Sequence, residues 1–203
     1  MSKRRSSDKV MHTMKSEKES LNGLFDAALE EALEICMKLW SIPAVGPENG
    51  GDGEEKKARR LLDLLGETGV FPDPLCLDSQ DPRVSSGLRP NIAYLIPGQS
   101  TEGGRLWIML HLDVVPPGDP AEWSTPPFEP LLRDGRIYGR GTEDNGGGTA
   151  AALTAVLACL RSGRLPARSL GLLFVSDEEV SSEHGILYCI RQDALFTAGD
   201  LFL

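Results

Sequence analysis

Two buried strands with a buried helix between them are predicted in the second half of the chain. The runs LWIML (106–110) and LGLLFVS (170–176) are short and continuously apolar, which is typical of strands covered on both faces. The segment TAAALTAVLACL (149–160) is apolar nearly all round, which predicts a helix covered on most sides. This alternation of helices and buried strands predicts an α/β layer architecture.

Two further helices and one further strand are predicted nearer the N-terminus. Apolar residues three or four positions apart predict one face of a helix that ends at Pro43: Phe25, Leu29, Leu33, Cys36 and Trp40. After a glycine-rich segment, a second helix is predicted over residues 54–65, with four inward-facing side chains: Ala58, Leu61, Leu62 and Leu65. The run NIAYLI (91–96) is separated from LWIML by turn residues, so these two runs are predicted to be adjacent strands.

Composition and charge favour a globular domain whose partners are small molecules. The chain has 203 residues, 40% of them apolar, which suffices for a sizeable core, and its net charge of -9 opposes a nucleic-acid surface. Residues 1–20 carry six Lys and Arg against three Asp and Glu without apolar periodicity, which predicts a basic flexible tail before a domain at 21–203. No run approaches the roughly 20 apolar residues of a membrane span, so we expect no membrane contact and a cytoplasmic location.

Both apolar runs of the strand–helix–strand pattern lead directly into potential metal ligands. His111 and Asp113 follow the first run, and Glu178 and Glu179 follow the second. Because sites in open α/β sheets gather at the carboxyl ends of strands, these side chains are expected at one edge. Residues i and i+2 of an extended backbone share a face, so Asp113 can accept one ring N–H of His111 and direct the other nitrogen to a metal.

The acidic residues of this pattern each have more than one interpretation. Asp144 follows a glycine-rich turn, where its two oxygens could bridge cations roughly 3.5–4 Å apart, or where it could cap the next helix. Neighbouring side chains diverge at a strand end, so one of Glu178 and Glu179 could bind metal while the other takes a proton from water. Alone, the His-x-Asp and DEE segments are more often turn and solvated-cap features. Their combination favours a metal site.

The ordered segment HLDVVPPGDPAEWSTPPFEPLLRDGRIYGRGTEDNGG (111–147), followed by FVSDEEVSSEHG (174–185), resembles the catalytic-domain signature of the M20 zinc metallopeptidase family. That family includes succinyl-diaminopimelate desuccinylases, acetylornithine deacetylases, aminoacylases and glutamate carboxypeptidases. The resemblance extends from about residue 24 to the end of the chain. It implies a three-layer αβα zinc-peptidase-like catalytic domain with a mostly parallel central sheet.

The resemblance also implies a role for each candidate residue. His111 would be a ligand of one of two zinc ions, and Asp113 would be the carboxylate that orients it. Asp144 would bridge both ions, and Glu179 would bind the second. Glu178 would be the general acid/base that moves a proton from the attacking water to the leaving nitrogen. The implied substrate is an N-acyl amino acid or a short peptide, and cobalt or manganese could replace zinc at the same ligands.

Three departures from the family pattern shape the remaining expectations. Many members have Asp-Lys-Gly after the bridging aspartate, where this chain has Asn145-Gly146-Gly147. His184 has no role in the motif and is predicted to face solvent or to cap a turn. The chain stops at DALFTAGDLFL, where members continue into further ligands and a dimerisation domain. We therefore expect a C-terminally truncated chain, weakly active or inactive alone, whose full-length form is a homodimer. The alternative is a non-catalytic metal-binding or interaction remnant of the same fold.

Overall fold

A computed structural model describes residues 2–100, 102–192 and 195–203, with side chains described from residue 21 onward. The helices and strands, in chain order, are α1 (Ser2–Trp40), α2 (Glu55–Glu67), β1 (Leu75–Gln80), β2 (Leu88–Ile96), β3 (Leu106–His111), β4 (Leu131–Arg133), β5 (Arg136–Tyr138), α3 (Gly146–Arg161), β6 (Leu170–Val175), α4 (Ile186–Ile190) and β7 (Leu201–Phe202). Short 3-10 turns lie at Pro47–Asn49 and Pro120–Glu122.

The central sheet is mixed and has the strand order β1-β2-β6-β3-β7. Strand β3 runs parallel to both β6 and β7, whereas β2 is antiparallel to β1 and β6. Strands β4 and β5 form a separate hairpin. The predicted α/β class is therefore confirmed, with the parallel part of the sheet at β6, β3 and β7.

The prediction that the runs NIAYLI and LWIML form adjacent strands is wrong, because β6 lies between β2 and β3. Helix α3 connects β3 to β6 as a crossover, and such a connection places two parallel strands side by side. Strand β6 is buried along nearly its whole length, so it takes a central position with a neighbour on each edge.

The core lies on both faces of the sheet. On one face, helices α1, α2 and α3 pack against strand residues such as Tyr94 and Phe174. On the other face, Trp107 and Leu173 pack with Cys189 of α4. A Cβ at Gly171 of β6 would lie 2.2 Å from the Trp107 ring, so glycine is the residue that this contact between strands accepts.

Helix α1 buries only part of the predicted face: Cys36 and Trp40 lie in the core and Leu33 packs against it, as predicted. Phe25 is 50% exposed and Leu29 is 38% exposed, whereas Ala28 and Ala32 are fully buried. Helix α1 packs along the alanine-rich helix α3, and small side chains at that contact let the two helices come close. The apolar period therefore located the helix and the C-terminal part of its buried face, while side-chain size at the contact with α3 selected the rest.

The backbone of residues 2–20 continues helix α1, whereas the sequence predicted a flexible tail with no periodic structure. No proline or glycine occurs between residues 2 and 22, so a helix already formed over residues 21–40 extends at little cost. Flexibility of residues 1–20 and a domain boundary at residue 20 stay predictions. None of the helices in the described part of the chain is both long and apolar enough to cross a bilayer.

Candidate metal centre

Strands β3 and β6 bring the predicted ligands to one edge of the sheet. They pair in parallel, and His111, the last residue of β3, lies opposite Val175, the last residue of β6. The segments that follow both strands therefore leave the sheet side by side. This is the arrangement expected when two parallel strands both end in polar residues.

His111, Asp144 and Glu179 come together as a candidate metal centre. Each offers one ligand atom, and these three atoms lie within 4.8 Å of one another. His111 is buried, and its Nε2 lies 3.0 Å from Oδ1 of Asp144, whose side chain is 76% exposed. The centre is thus anchored in the sheet and open to solvent on one side. Asn145 occupies the N-cap of α3, so the alternative interpretation of Asp144 as that cap is wrong.

His111 is oriented by Asp113, but chiefly through the backbone. The ring Nδ1 lies 3.0 Å from the carbonyl oxygen of Asp113 and 3.7 Å from its carboxylate Oδ1. A donor at Nδ1 leaves Nε2 directed at Asp144, where a metal ion would bind. The sequence predicted the Asp113 carboxylate in this role, and the structure shows the carbonyl of the same residue at hydrogen-bonding distance.

The carboxylate of Asp113 is instead the acceptor for the loop that carries both glutamates. The backbone amide of Glu178 donates to Oδ1 at 3.1 Å, and the amide of Glu179 donates to Oδ2 at 2.9 Å. Asp113 is buried, and burial raises the pKa of its carboxyl group, whereas these two amides lower it. This carboxylate holds two consecutive peptide units in place and thereby sets where the two glutamate side chains begin.

Glu178 and Glu179 diverge, as expected for neighbours at a strand end. Glu179 belongs to the group of three ligand atoms, and burial raises the pKa of its carboxyl group. Glu178 is 44% exposed, and its Oε2 lies 3.9 Å from Nε2 of His111. The structure places Glu179 with His111 and Asp144 in the candidate ligand group and Glu178 beside it; that Glu179 is the glutamate that binds metal stays a prediction.

A buried ion cluster behind the candidate metal centre escaped the sequence analysis. Arg89 of β2 and Glu54 are both fully buried and form two hydrogen bonds of 2.6 Å. Arg89 also lies 3.4 Å from Asp81 and 3.6 Å from Asp177, the residue before Glu178. The sequence signal for this cluster was an arginine inside an apolar strand. A buried arginine needs carboxylate partners, so its position indicates that such partners lie nearby.

The turn at Asp177 ties this cluster to the candidate metal centre. Asp177 is fully buried and has a φ of 63°, in the left-handed region that aspartate tolerates better than most residues. Its backbone amide points to Glu54 Oε1 at 3.4 Å. The cluster therefore supports the sharp turn from which Glu178 and Glu179 project.

His184 belongs to the border of the same cluster. Its Nδ1 lies 2.9 Å from Oγ of Ser79, and its Nε2 lies 3.5 Å from the Asp81 carboxylate. The side chain is only 21% exposed. His184 was predicted to face solvent or to cap a turn, but its imidazole instead contacts the side chains of Ser79 and Asp81, because the loop after β6 folds back over β1.

Lys57 is a further buried charged residue that the sequence analysis missed. It lies on the buried face of α2, and its Nζ donates to the carbonyl oxygen of Leu112 at 2.8 Å. Burial lowers the pKa of Lys57 to about 8, although the charge of Asp113 opposes this shift. The sequence signal was its position four residues before the inward-facing Leu61, which puts Lys57 on the same, buried face of the helix.

Lys57 should give the metal-free protein a measurable pH dependence of stability. Its pKa rises from about 8 in the folded chain to 10.5 on unfolding, so in that window the unfolded state binds more protons and stability increases with pH. The free energy of unfolding of the wild type, relative to Lys57→Met, should rise by up to about 3 kcal/mol across the window. Urea unfolding in EDTA, repeated across these pH values, measures it. Parallel profiles for the two proteins would contradict the buried position of the ammonium group.

An open cleft adjoins the candidate metal centre. Its volume is about 530 Å³, and Asp144 and Glu179 lie in its wall. The remaining wall comes from Val115, from the 123–125 segment and from the 137–143 segment, which begins in β5. A substrate that reached the metal ligands would occupy this cleft.

Comparison with known proteins shows a consistent set of similarities. The model of peptidase family M20/M25/M40 matches residues 107–201. An uncharacterized metallohydrolase of Methanocaldococcus jannaschii is 36% identical over 185 residues, which cover 86% of this chain and 43% of that protein. A succinyl-diaminopimelate desuccinylase of Bradyrhizobium sp. is 46% identical over 167 residues, with 80% and 40% covered. The chain thus spans less than half the length of these relatives.

Solved structures show the same fold at lower identity. Human carnosine dipeptidase 1 matches with a TM-score of 0.63 and 20% identity, over 81% of this chain and 36% of that one. The dipeptidase Dug1p of Saccharomyces cerevisiae matches with a TM-score of 0.61 and 22% identity, over 81% and 35%. At such identities the similarity supports the fold alone.

Proposed function

The chain belongs to the M20 group of peptidase family M20/M25/M40, and we propose that it carries the metal centre of a hydrolase that cleaves the amide bond of an N-acyl amino acid or a short peptide. Members of this family are hydrolases, and membership implies a divalent metal ion. The observation that carries the proposal is the grouping of His111, Asp144 and Glu179 at one sheet edge, with Glu178 3.9 Å from the His111 imidazole.

The three residues fit a divalent cation by their chemistry and by their spacing. One imidazole nitrogen and two carboxylates are ligands that zinc, cobalt and manganese all accept, and their atoms lie within 4.8 Å. We propose two zinc ions, one held by His111 and Asp144 and the other by Asp144 and Glu179. A catalytic zinc has three protein ligands, so each ion requires at least one ligand besides these.

The residues of the chain would divide the remaining work between them. A bound divalent cation would supply the acidity that activates water and polarises the amide carbonyl. Glu178, outside the ligand group, would accept the proton of the attacking water and deliver it to the leaving nitrogen. Asp113 would keep Glu178 in place through the backbone amide, and the Nδ1 contact would keep the His111 ring in one orientation.

The name of one relative supports the proposed substrate class. A succinyl-diaminopimelate desuccinylase removes a succinyl group from an amine, so it cleaves an amide bond whose acyl group carries a carboxylate. A cytoplasmic location and a homodimer remain predictions from the sequence.

The proposal predicts that His111→Ala weakens zinc binding at least tenfold. The change removes the buried ligand without removing either carboxylate, so the remaining groups hold zinc with lower affinity. Zinc content after dialysis against buffered free zinc measures this effect. The matched variant is Glu183→Gln, which removes an exposed carboxylate outside the candidate metal centre and should retain wild-type zinc.

Hydrolysis of N-succinyl amino acids and dipeptides, assayed before and after chelation, tests the catalytic part of the proposal. Because each ion requires a ligand besides these three residues, we expect at most weak hydrolysis by this chain alone, which chelation should abolish and zinc should restore. Zinc binding that depends on His111 without any hydrolysis would instead support the alternative of a non-catalytic metal-binding remnant. Equal zinc content in the wild type and His111→Ala would overturn the metal centre itself.

A further inference from the structure

We propose that Arg140 is the anchor for a carboxylate of the substrate in the cleft beside the metal centre, an inference that rests on the proposed hydrolase function. The cleft of about 530 Å³ connects Arg140 directly with Asp144 and Glu179. Among the described residues that line the cleft, Arg140 is the only one with a positive charge. A ligand that fills the cleft therefore meets the metal ligands and a guanidinium group in one space.

The guanidinium of Arg140 is held by stacking instead of by a carboxylate. Its Cζ lies 5.2 Å from the centroid of the Trp123 ring. The indole Nε1 donates to the carbonyl oxygen of Pro117 at 2.8 Å, and the backbone amide of Arg140 donates to the carbonyl of Pro127 at 2.7 Å. The Trp123 ring and the backbone of Arg140 are therefore both fixed before a ligand arrives. This lowers the entropic cost of binding a ligand to the guanidinium group.

Arg140 lacks, among the described residues, the carboxylate partner that several other arginines of the chain have. Arg83, Arg89, Arg161 and Arg191 each lie within 4.0 Å of at least one carboxylate. Within the described residues, the Arg140 side chain has no ion pair and no hydrogen bond, and its Nε is buried without an acceptor. A cation in a partly buried cleft is costly without a partner, which an anionic ligand would supply.

A second polar atom in the same wall also lacks a partner. Oγ1 of Thr125 is buried and makes no hydrogen bond to any described residue. Thr125 follows Trp123 by two positions and lines the cleft with it. Buried polar atoms are nearly always paired in native proteins. Two unpaired polar atoms in one wall of the cleft therefore favour a polar ligand as their partner.

A carboxylate is the ligand group that fits these observations best. Its two oxygens match the planar fork of a guanidinium, and the pair is stronger than a neutral hydrogen bond. The carboxylates of Asp144 and Glu179 in the same cleft would face the bound cations, whereas Arg140 would face the far end of the substrate. The enzyme would then select amides that carry a carboxylate on the side of the molecule that enters this cleft.

Binding of succinate to the zinc-loaded protein tests the proposal without using turnover. Arg140→Met keeps an unbranched apolar side chain and removes its charge, so we expect it to weaken succinate binding by about ten- to a hundredfold in calorimetry. Binding of succinamide, the neutral analogue, should be equal in the two proteins. The matched control is Arg133→Met, since Arg133 stacks on Tyr138 with a Cζ-to-centroid distance of 4.9 Å but lies outside the wall of the cleft.

Zinc content and kinetics separate this inference from the proposed function. Unchanged zinc in Arg140→Met, with a raised KM and a nearly unchanged kcat for an N-succinyl amino acid, supports a positioning role for Arg140. Equal succinate affinity in the wild type and Arg140→Met overturns the inference, even if hydrolysis is intact. If Arg140→Met does not fold, Arg140→Lys provides the comparison: it keeps the charge but loses the fork, and it should bind succinate with intermediate affinity. Arg140-dependent succinate binding in a protein that hydrolyses nothing would overturn the proposed function and the substrate role together.

Discussion

Glu178→Gln should lower kcat about a thousandfold while the protein keeps its metal. General acid/base catalysis typically contributes between about a hundred- and ten-thousandfold, and glutamine has the size of glutamate without a carboxylate to accept a proton. Glu178 stands outside the three ligand atoms, so zinc content should stay at the wild-type level. The measurement pairs kcat for an N-succinyl amino acid or dipeptide that the wild type cleaves with the zinc content of the same preparation.

Glu183→Gln is the matched control for this change. Glu183 lies in the same loop, but its carboxylate is exposed and pairs with Arg191 at 2.8 Å, so kcat should be unaffected. Loss of zinc from Glu178→Gln would make Glu178 a ligand and would contradict its assignment as the base. Loss of zinc from Glu179→Gln is the expected counterpart, because Glu179 belongs to the ligand group.

Arg89→Met should lower the free energy of unfolding by about 3–5 kcal/mol, which is the cost expected when one partner of a buried ion pair is removed. The guanidinium lies between Glu54, Asp81 and Asp177, all at most 1% exposed. Without it, Glu54 and Asp177 are buried and lose this cation, while Asp81 keeps only its pair with the more exposed Arg83. The turn at Asp177 would loosen as well, so zinc affinity should fall although Arg89 contacts no metal ligand. Urea unfolding and zinc titration measure the two effects.

Arg83→Met is the control for charge alone. Arg83 also pairs with Asp81, at 2.8 Å, but its side chain is 49% exposed, so water replaces the lost partner and the change in stability should be much smaller. Arg89→Lys keeps the charge and loses the second hydrogen bond, and we expect a stability between those of the wild type and Arg89→Met. Equal stability of the wild type, Arg89→Met and Arg89→Lys would show that the cluster does not support the fold.

Much of the fold was predictable because the most apolar segments of the sequence are also the ones that the structure buries. The strands β3 and β6 and helix α3 are apolar on nearly every face, and only a covered position suits such segments. The neighbours in the sheet were not predictable, because β2 joins β6 through a pairing between residues far apart in the chain. The face of α1 that is buried also depends on a partner, since the alanines of α3 decide which side chains fit against it.

The sequence by itself determined the candidate ligands, because a strand that ends in polar residues delivers them to a sheet edge whatever its neighbours are. His111, Glu178 and Glu179 were identifiable in this way, together with Asp113, whereas Asp144 was identifiable from the glycine-rich turn before the buried helix. Only the tertiary structure decided which glutamate joins the ligand group and that the Asp113 carboxylate holds the glutamate loop. It also revealed Arg89 and Arg140, one buried among carboxylates and one without a carboxylate partner among the described residues. The physical reason is that the energy of a charged group depends on which groups surround it and how much water they exclude, and distant segments of the chain supply both.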